Sequence, residues 1–95
     1  MSTTLSIVIP AYNEERTIHL ILDKVKAVQL VGGWQKEVLI INDASSDDTK
    51  GAIELYRSSN PDFPITYFEH EFNQGKGAAL HTGIREATGE YLIIQ

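Results

Sequence analysis

Two short polar segments carry the side chains of this chain that are best suited to bind a ligand. The first, residues 10–15, reads Pro-Ala-Tyr-Asn-Glu-Glu, and the second, residues 42–47, reads Asn-Asp-Ala-Ser-Ser-Asp. Carboxylate and hydroxyl oxygens suit the ribose hydroxyls and base N–H donors of a nucleoside, whereas phosphates need cations or helix N-termini. The residue types therefore predict a site for a nucleotide.

Each of these polar segments directly follows an aliphatic run that reads as a buried strand. The runs are residues 5–9 and 38–41, and nearly continuous aliphatic sequence is typical of parallel strands covered by helices on both faces. The carboxyl ends of neighbouring parallel strands converge on one crevice, where the loops that leave them hold a ligand. We therefore expect Tyr12, Glu14 and Asp43 to lie side by side in one shared crevice.

The rest of the chain alternates helices and strands, which predicts a three-layer α/β/α fold of the Rossmann-like type. Two further strands are expected at residues 65–70 and 91–94. The first of these alternates apolar and polar residues, as an edge strand with one wet face does. Short loops between alternating elements give parallel crossovers. The expected sheet is parallel with strand order 3-2-1-4, so strands one and two are central and strand three is outermost.

Three helices are expected between these strands, from the apolar spacing and from residues that favour helix ends. We assign Asp47 and Asp48 mainly to the turn and cap before the second helix, where their charges offset the positive end of the helix dipole. We expect the first helix to run for about four turns, from Asn13 as its N-cap to a stop at glycines 32–33. The second should begin at residue 46 or 47 and end before Pro61. The third should open at residues 73–75 and end at Gly89 in a left-handed conformation.

The segment Gly75-Lys76-Gly77 is close to two phosphate-binding motifs and matches neither. A Walker loop needs Ser or Thr directly after Gly-Lys, and a dinucleotide fingerprint needs its glycines after the first strand. Small residues still let the backbone approach a ligand closely, and Lys76 brings one positive charge that suits a phosphate. Arg16 and Arg85 are weaker candidates for the same role.

Composition and charge exclude several classes of site and partner. The 95 residues include no cysteine and carry a formal net charge of -5. A disulfide framework, a thiolate zinc site and nucleic-acid binding through a basic surface are therefore excluded. His19, His70 and His81 form no metal-binding pair with a carboxylate, and we assign all three structural or solvated roles. No apolar run has the length of a membrane span and residues 1–20 do not read as a signal peptide, so a cytoplasmic protein is expected.

These segments, taken together and in order, make the chain similar to the N-terminal part of family 2 glycosyltransferases with the GT-A fold. The similarity is greatest to the dolichol-phosphate and polyprenyl-phosphate mannosyltransferase-like branch. It is carried by residues 7–15, 40–47, 73–79 and 87–91. Four such segments in the right order are more specific than any one of them.

The resemblance implies six nucleotide-binding residues: Pro10, Ala11, Tyr12, Glu14, Asp43 and Lys76. The first four would line the nucleoside pocket, Asp43 would hydrogen-bond the base and Lys76 would lie near the nucleotide. Family members usually carry a second acid where Asn42 stands and often a glycine where Ala44 stands. Asp43 is therefore a firmer assignment than its neighbours.

The resemblance also implies that residues 1–95 are the incomplete N-terminal, nucleotide-sugar-binding part of a transferase domain. The family's Asp-x-Asp motif, which holds Mg²⁺ or Mn²⁺, would follow Gln95, so this part would have no catalytic or metal-binding residue and no transferase activity alone. The donor would be a UDP- or GDP-linked sugar, and the acceptor a lipid phosphate such as a polyprenyl phosphate, or a glycan, at the cytoplasmic membrane face. An apolar fourth strand at the sheet edge predicts that the fragment self-associates.

Two other classes of protein remain open at this point. One is a non-catalytic nucleotide-binding or protein-interaction domain that keeps the fold and the pocket. The other is a nucleotidyltransferase that forms sugar nucleotides, which shares the sheet but needs a basic, glycine-rich loop after strand one. Glu14 and Glu15 occupy that position, and this favours the transferase over the nucleotidyltransferase.

Overall fold

The chain folds into a parallel sheet with helices on both faces, in a computed structural model that describes residues 3–28 and 30–95. The four strands, numbered in chain order, lie in the order 3-2-1-4 in the sheet, which confirms the predicted topology. None of the helices in these ranges is long and apolar enough to span a bilayer. The elements are β1 Thr4–Ala11, α1 Ile18–Ala27, a 3₁₀ turn Val31–Gly33, β2 Gln35–Asn42, α2 Thr49–Ser59, β3 Ile65–Glu69, α3 Lys76–Glu86 and β4 Tyr91–Ile94.

Alternating side chains of the two central strands divide the core into two layers. In β1, Ile7 and Ile9 pack on the face that α1 and α2 cover, whereas Val8 packs on the face that α3 covers. Strand side chains point to opposite faces in turn, so a strand that is apolar throughout must be covered on both sides. The resulting three-layer arrangement leaves the carboxyl edge of the sheet open to solvent, and the loops collect there.

The first helix is shorter at its N-terminus than the sequence predicts. It begins at Ile18, not directly after Asn13, and Thr17 occupies the N-cap position without a side-chain capping bond. Asn13 adopts a left-handed conformation with a φ of 54° and bonds to the loop after β2 instead. The prediction of Asn13 as the N-cap is therefore wrong, because its side chain serves a contact between two loops.

The same helix also ends earlier than predicted, at Ala27 after about three turns. The amine of Lys36 donates to the carbonyls of Val25, Lys26 and Val28, at 2.9, 3.2 and 2.7 Å. A cation near the last turn stabilises a helix C-terminus and satisfies its free carbonyls. This partner lies in β2, so the glycines at 32–33 are not needed to end the helix.

Two further helix ends differ from the predicted ones. Helix α2 begins at Thr49 and is capped by Asp48, whose side chain accepts from the N–H of Gly51 at 3.1 Å. Helix α3 ends at Glu86, and Gly89 is not among the residues with a left-handed φ. Gly89 instead lies against β1, where an added Cβ would come within 2.6 Å of the Ser6 hydroxyl oxygen. The glycine is required by close packing and not by helix termination.

Candidate functional site

A cavity of about 440 Å³ lies at the carboxyl edge of the sheet. All six residues predicted to bind the nucleotide line it, although they come from three separate segments of the chain. Five further lining residues were not predicted as site residues. The full lining is Pro10, Ala11, Tyr12, Glu14, Ile21, Asp43, Asn73, Gly75, Lys76, Ala79 and Gln95. Tyr12, Glu14 and Asp43 therefore line the same cavity, as the sequence predicts.

Hydrogen bonds between the loops after β1 and β2 hold the two polar segments together. The backbone N–H of Glu14 donates to the hydroxyl of Thr49 at 2.9 Å, and the N–H of Glu15 donates to a carboxylate oxygen of Asp47 at 3.2 Å. In return, the N–H of Asp48 donates to the Glu15 carboxylate at 2.9 Å. These bonds satisfy the polar backbone that two adjacent loops would otherwise leave unpaired.

Tyr12 and Glu14 present their side chains to the cavity from the first of these loops. Tyr12 is 49% exposed, so much of its ring surface is available to a ligand. The Glu14 carboxylate accepts a hydrogen bond from the hydroxyl of Thr17, which fixes one of its oxygens. An ionised carboxylate has about four acceptor positions, so Glu14 keeps capacity to accept from ligand hydroxyls.

The Asp43 carboxylate is hydrogen-bonded through both of its oxygens, and the residue is only 3% exposed. One oxygen lies 2.8 Å from the ring of His70 and accepts from the N–H of Gln74 at 2.9 Å. The other accepts from the amide of Asn73 at 3.1 Å and from the N–H of Gly75 at 2.8 Å. Burial alone would raise the pKa of this carboxyl, but the bonds from His70, Gln74 and Gly75 outweigh it and hold the pKa below its ordinary value.

Four donors on one carboxylate restrict how Asp43 can meet a ligand. With two donors on each oxygen, its acceptor positions are filled. A base N–H can bond to Asp43 only by displacing one of these donors or sharing an oxygen with it. The Asn73 amide is the most easily displaced, because its bond is the longest of the four and Asn73 is otherwise exposed.

The start of α3 brings a positive charge to the cavity. Gly75 has a φ of 96°, a conformation that favours glycine, and Lys76 is the first helical residue after it. Both line the cavity, whereas the weaker candidates Arg16 and Arg85 lie outside the lining. Lys76 is therefore the basic side chain placed to face a phosphate, and the positive end of the helix dipole points the same way.

Comparison with known proteins identifies the family. The profile described as Glycosyl transferase family 2 matches residues 6–95. The chain belongs to this family. A dolichyl-phosphate beta-glucosyltransferase of Trichomonas vaginalis is 33% identical to this family 2 chain over 98 residues, covering 98% of the chain and 30% of the relative. The resemblance inferred from the sequence motifs is thereby confirmed.

Solved structures of glycosyltransferases show the same fold. A mannosyltransferase from Pyrobaculum calidifontis, in complex with GDP-Man and Mn²⁺, superposes with a TM-score of 0.87 and 30% identity, over 97% of this chain and 26% of that one. TarS of S. aureus in complex with UDP gives a TM-score of 0.83 at 25% identity, over 100% and 27%. The family 2 chain thus spans less than a third of the length of these proteins.

The described residues of this family 2 chain do not assemble a metal site by themselves. Across residues 3–28 and 30–95, no three His, Cys, Asp or Glu side chains converge in a way that could hold an ion. His19 and His81 are exposed, in agreement with a solvated role. His70 is different, because both of its ring nitrogens are hydrogen-bonded beside the cavity. Nothing in the local sequence indicates this, since both partners are distant along the chain.

Proposed function

We propose that the protein transfers a sugar from a UDP- or GDP-linked donor to an acceptor, and that the cavity holds the nucleoside of the donor. The observation that carries this proposal is the convergence of the loops after β1 and β2 with the start of α3 on one cavity. Its oxygen-rich side suits a ribose and a base, and its single lysine suits a phosphate.

Each lining side chain has a distinct role in this proposal. The Tyr12 ring covers the base or the ribose, and the Glu14 carboxylate accepts from ribose hydroxyls. Pro10 and Ala11 form part of the cavity wall at the end of β1. Asp43 accepts from a base N–H in place of the Asn73 amide, and Lys76 opposes the charge of the diphosphate.

The solved complexes and the relatives support a nucleotide sugar and a lipid phosphate as substrates. The mannosyltransferase structure contains GDP-Man and the TarS structure contains UDP. The name of the Trichomonas relative specifies dolichyl phosphate. We propose a polyprenyl phosphate, presented at the cytoplasmic membrane face, as the acceptor for the whole protein. A glycan is the alternative acceptor.

Residues 1–95 supply the nucleotide half of the domain in this proposal. The mannosyltransferase complex contains Mn²⁺, and a divalent ion, Mg²⁺ or Mn²⁺, neutralises the leaving diphosphate when it is bound. Because the described residues do not form a site for such an ion, we assign its ligands and the acceptor pocket to other parts of the protein. The chain alone would then bind a nucleotide without transferring sugar.

Calorimetric titration with UDP and GDP, each with and without Mn²⁺, tests the proposal. We expect saturable binding of one of them, and weaker binding by Lys76→Ala. Lys50→Ala is the matched control, because Lys50 is an exposed lysine that pairs with Glu69 outside the cavity. Uridine or guanosine should bind both variants equally, since Lys76 is assigned to the phosphates. Absence of binding to either nucleotide by the whole protein would refute the proposal, and binding without sugar transfer to either a polyprenyl phosphate or a glycan would favour a non-catalytic domain.

A further inference from the structure

His70 connects the wall of the cavity to the helix behind it. The residue directly follows β3, and its side chain is 11% exposed. Its Nδ1 lies 2.8 Å from an oxygen of Asp43, and its Nε2 lies 2.8 Å from the hydroxyl of Thr82 in α3. The backbone N–H of His70 also donates to the carbonyl of Asn42 at 2.9 Å. Ring and main chain are therefore both fixed relative to Asp43.

The groups around the ring determine which nitrogen carries a proton. An ionised carboxylate only accepts, so Nδ1 must donate to Asp43. The single proton of the Thr82 hydroxyl goes either to the carbonyl of Ala78, 3.1 Å away, or to Nε2. In the first case Nε2 is protonated as well, and in the second the ring is neutral. Both arrangements leave a proton on Nδ1.

Asp43 extends this arrangement to the cavity wall. The oxygen that faces His70 also accepts from the N–H of Gln74, and the other oxygen accepts from the N–H of Gly75. Gly75 lies directly before Lys76, and both line the cavity. A rotation of the carboxylate would break both backbone bonds at once, so the orientation of Asp43 determines the path of the chain into α3.

We propose that His70 is a positioning residue for the nucleotide site. Its Nδ1–H holds Asp43 in the rotamer that fixes residues 73–75 and places Lys76 beside the cavity. His70 does not line the cavity, so it acts through Asp43 and not on the nucleotide. The effect on nucleotide binding rests on the proposed function, whereas the hydrogen-bond arrangement itself does not.

Two substitutions separate the two ring nitrogens. The amide nitrogen of asparagine is two bonds from Cβ, as Nδ1 is, whereas that of glutamine is three bonds away, as Nε2 is. His70→Asn therefore keeps a donor for Asp43, and His70→Gln keeps one only toward Thr82. His81→Asn is the matched control, because His81 is an exposed histidine of α3 outside the cavity lining.

Amide hydrogen exchange and nitrogen-15 spectra of the imidazole read out the arrangement directly. We expect a proton on Nδ1 of His70 in the folded protein, as the contact with Asp43 requires. Exchange at Gln74 and Gly75 should be about tenfold faster in His70→Gln, as the loss of one hydrogen bond to a charged group implies. His70→Asn should stay within about threefold of the unsubstituted protein, and His81→Asn should equal it.

Calorimetry with UDP and GDP extends the test to binding. We expect about tenfold weaker binding in His70→Gln and recovery in His70→Asn. Should His70→Gln not fold, Thr82→Val gives a second test, because it keeps the Nδ1 donor but removes the partner that orients the ring; exchange and binding should change in the same direction and by less. A neutral ring protonated on Nε2, or equal exchange at Gln74 and Gly75 in all variants, would overturn the proposal. If the unsubstituted protein binds neither nucleotide, the proposed function fails while the exchange and imidazole spectra still decide the role of His70.

Discussion

The side-chain oxygen of Asn13 accepts a hydrogen bond of 2.8 Å from the backbone N–H of Ser46, 33 residues further along the chain. The same oxygen accepts from the Ser46 hydroxyl at 3.1 Å, and the N–H of Asn13 donates to the hydroxyl of Ser45 at 3.0 Å. One side chain thus joins the loops after β1 and β2. Its left-handed φ of 54° is a conformation that asparagine tolerates better than most residues.

Replacement of Asn13 should separate the contribution of this bond from that of the backbone conformation. We expect Asn13→Ala to lower the free energy of unfolding by about 2 kcal/mol, because it removes the acceptor and strains the left-handed backbone. Asn13→Gly should lose about 1 kcal/mol, because it removes the acceptor only. Urea unfolding measures both. Ser46→Ala is the control and should have little effect, since the Ser46 backbone N–H remains; equal losses in all three variants would contradict this account.

Much of the site followed from the sequence, whereas the contacts that stabilise it did not. Strand order and the convergence of Tyr12, Glu14 and Asp43 could be predicted, because they follow from apolar runs and from the parallel topology. The true end of α1 depends on the amine of Lys36, and the setting of Asp43 depends on His70. These partners lie in other elements, so no local pattern reveals them.

Two glycines of α3 should respond in opposite ways to alanine. A Cβ added at Gly83 would collide with the Val8 side chain and come within 3.0 Å of Ile41, whereas one added at Gly77 would meet nothing within 4 Å. We expect Gly83→Ala to lower the free energy of unfolding by about 2 kcal/mol through overpacking. Gly77→Ala should raise it by about 0.5 to 1 kcal/mol through helix propensity. Chemical denaturation of the two variants distinguishes these effects. A lower stability of Gly77→Ala would contradict the open space around Gly77.

The stability of the protein should decrease in acid, in part through Asp43. Its pKa in the folded protein lies below the ordinary value of 3.8, so its contribution is complete only well above that value and is lost as the pH falls through the folded pKa. We expect the free energy of unfolding to decline from about pH 5 downward, with a shallower slope in Asp43→Asn. Asp62→Asn, at an exposed carboxylate before β3, should keep the slope of the unsubstituted protein. Parallel curves for Asp43→Asn and the unsubstituted protein would contradict the assignment.

The ring of Tyr12 should contribute to nucleotide binding without contributing to stability. Because the residue is 49% exposed and lines the cavity, we expect Tyr12→Ala to weaken UDP or GDP binding by about tenfold, as the loss of stacking on a base implies. Tyr12→Phe should keep most of the affinity. Phe72→Ala removes an exposed aromatic ring outside the cavity lining. It is the control for the two Tyr12 variants and should leave nucleotide affinity unchanged. Unchanged affinity in Tyr12→Ala would exclude the ring from the site.

The outer edge of β4 should make copies of the 95-residue chain associate with each other. This strand pairs with β1 on one side, and Tyr91, Ile93 and Ile94 are exposed on it. An edge strand that combines free backbone groups with apolar side chains favours pairing with another chain. We expect sedimentation velocity to show a mass that increases with concentration, and Ile93→Lys to shift the protein toward monomer, because a charged side chain opposes edge pairing. Leu55→Lys is the control and should not change the mass, because Leu55 is an exposed apolar residue of α2 away from the sheet edge. A monomer at all concentrations would refute association through β4.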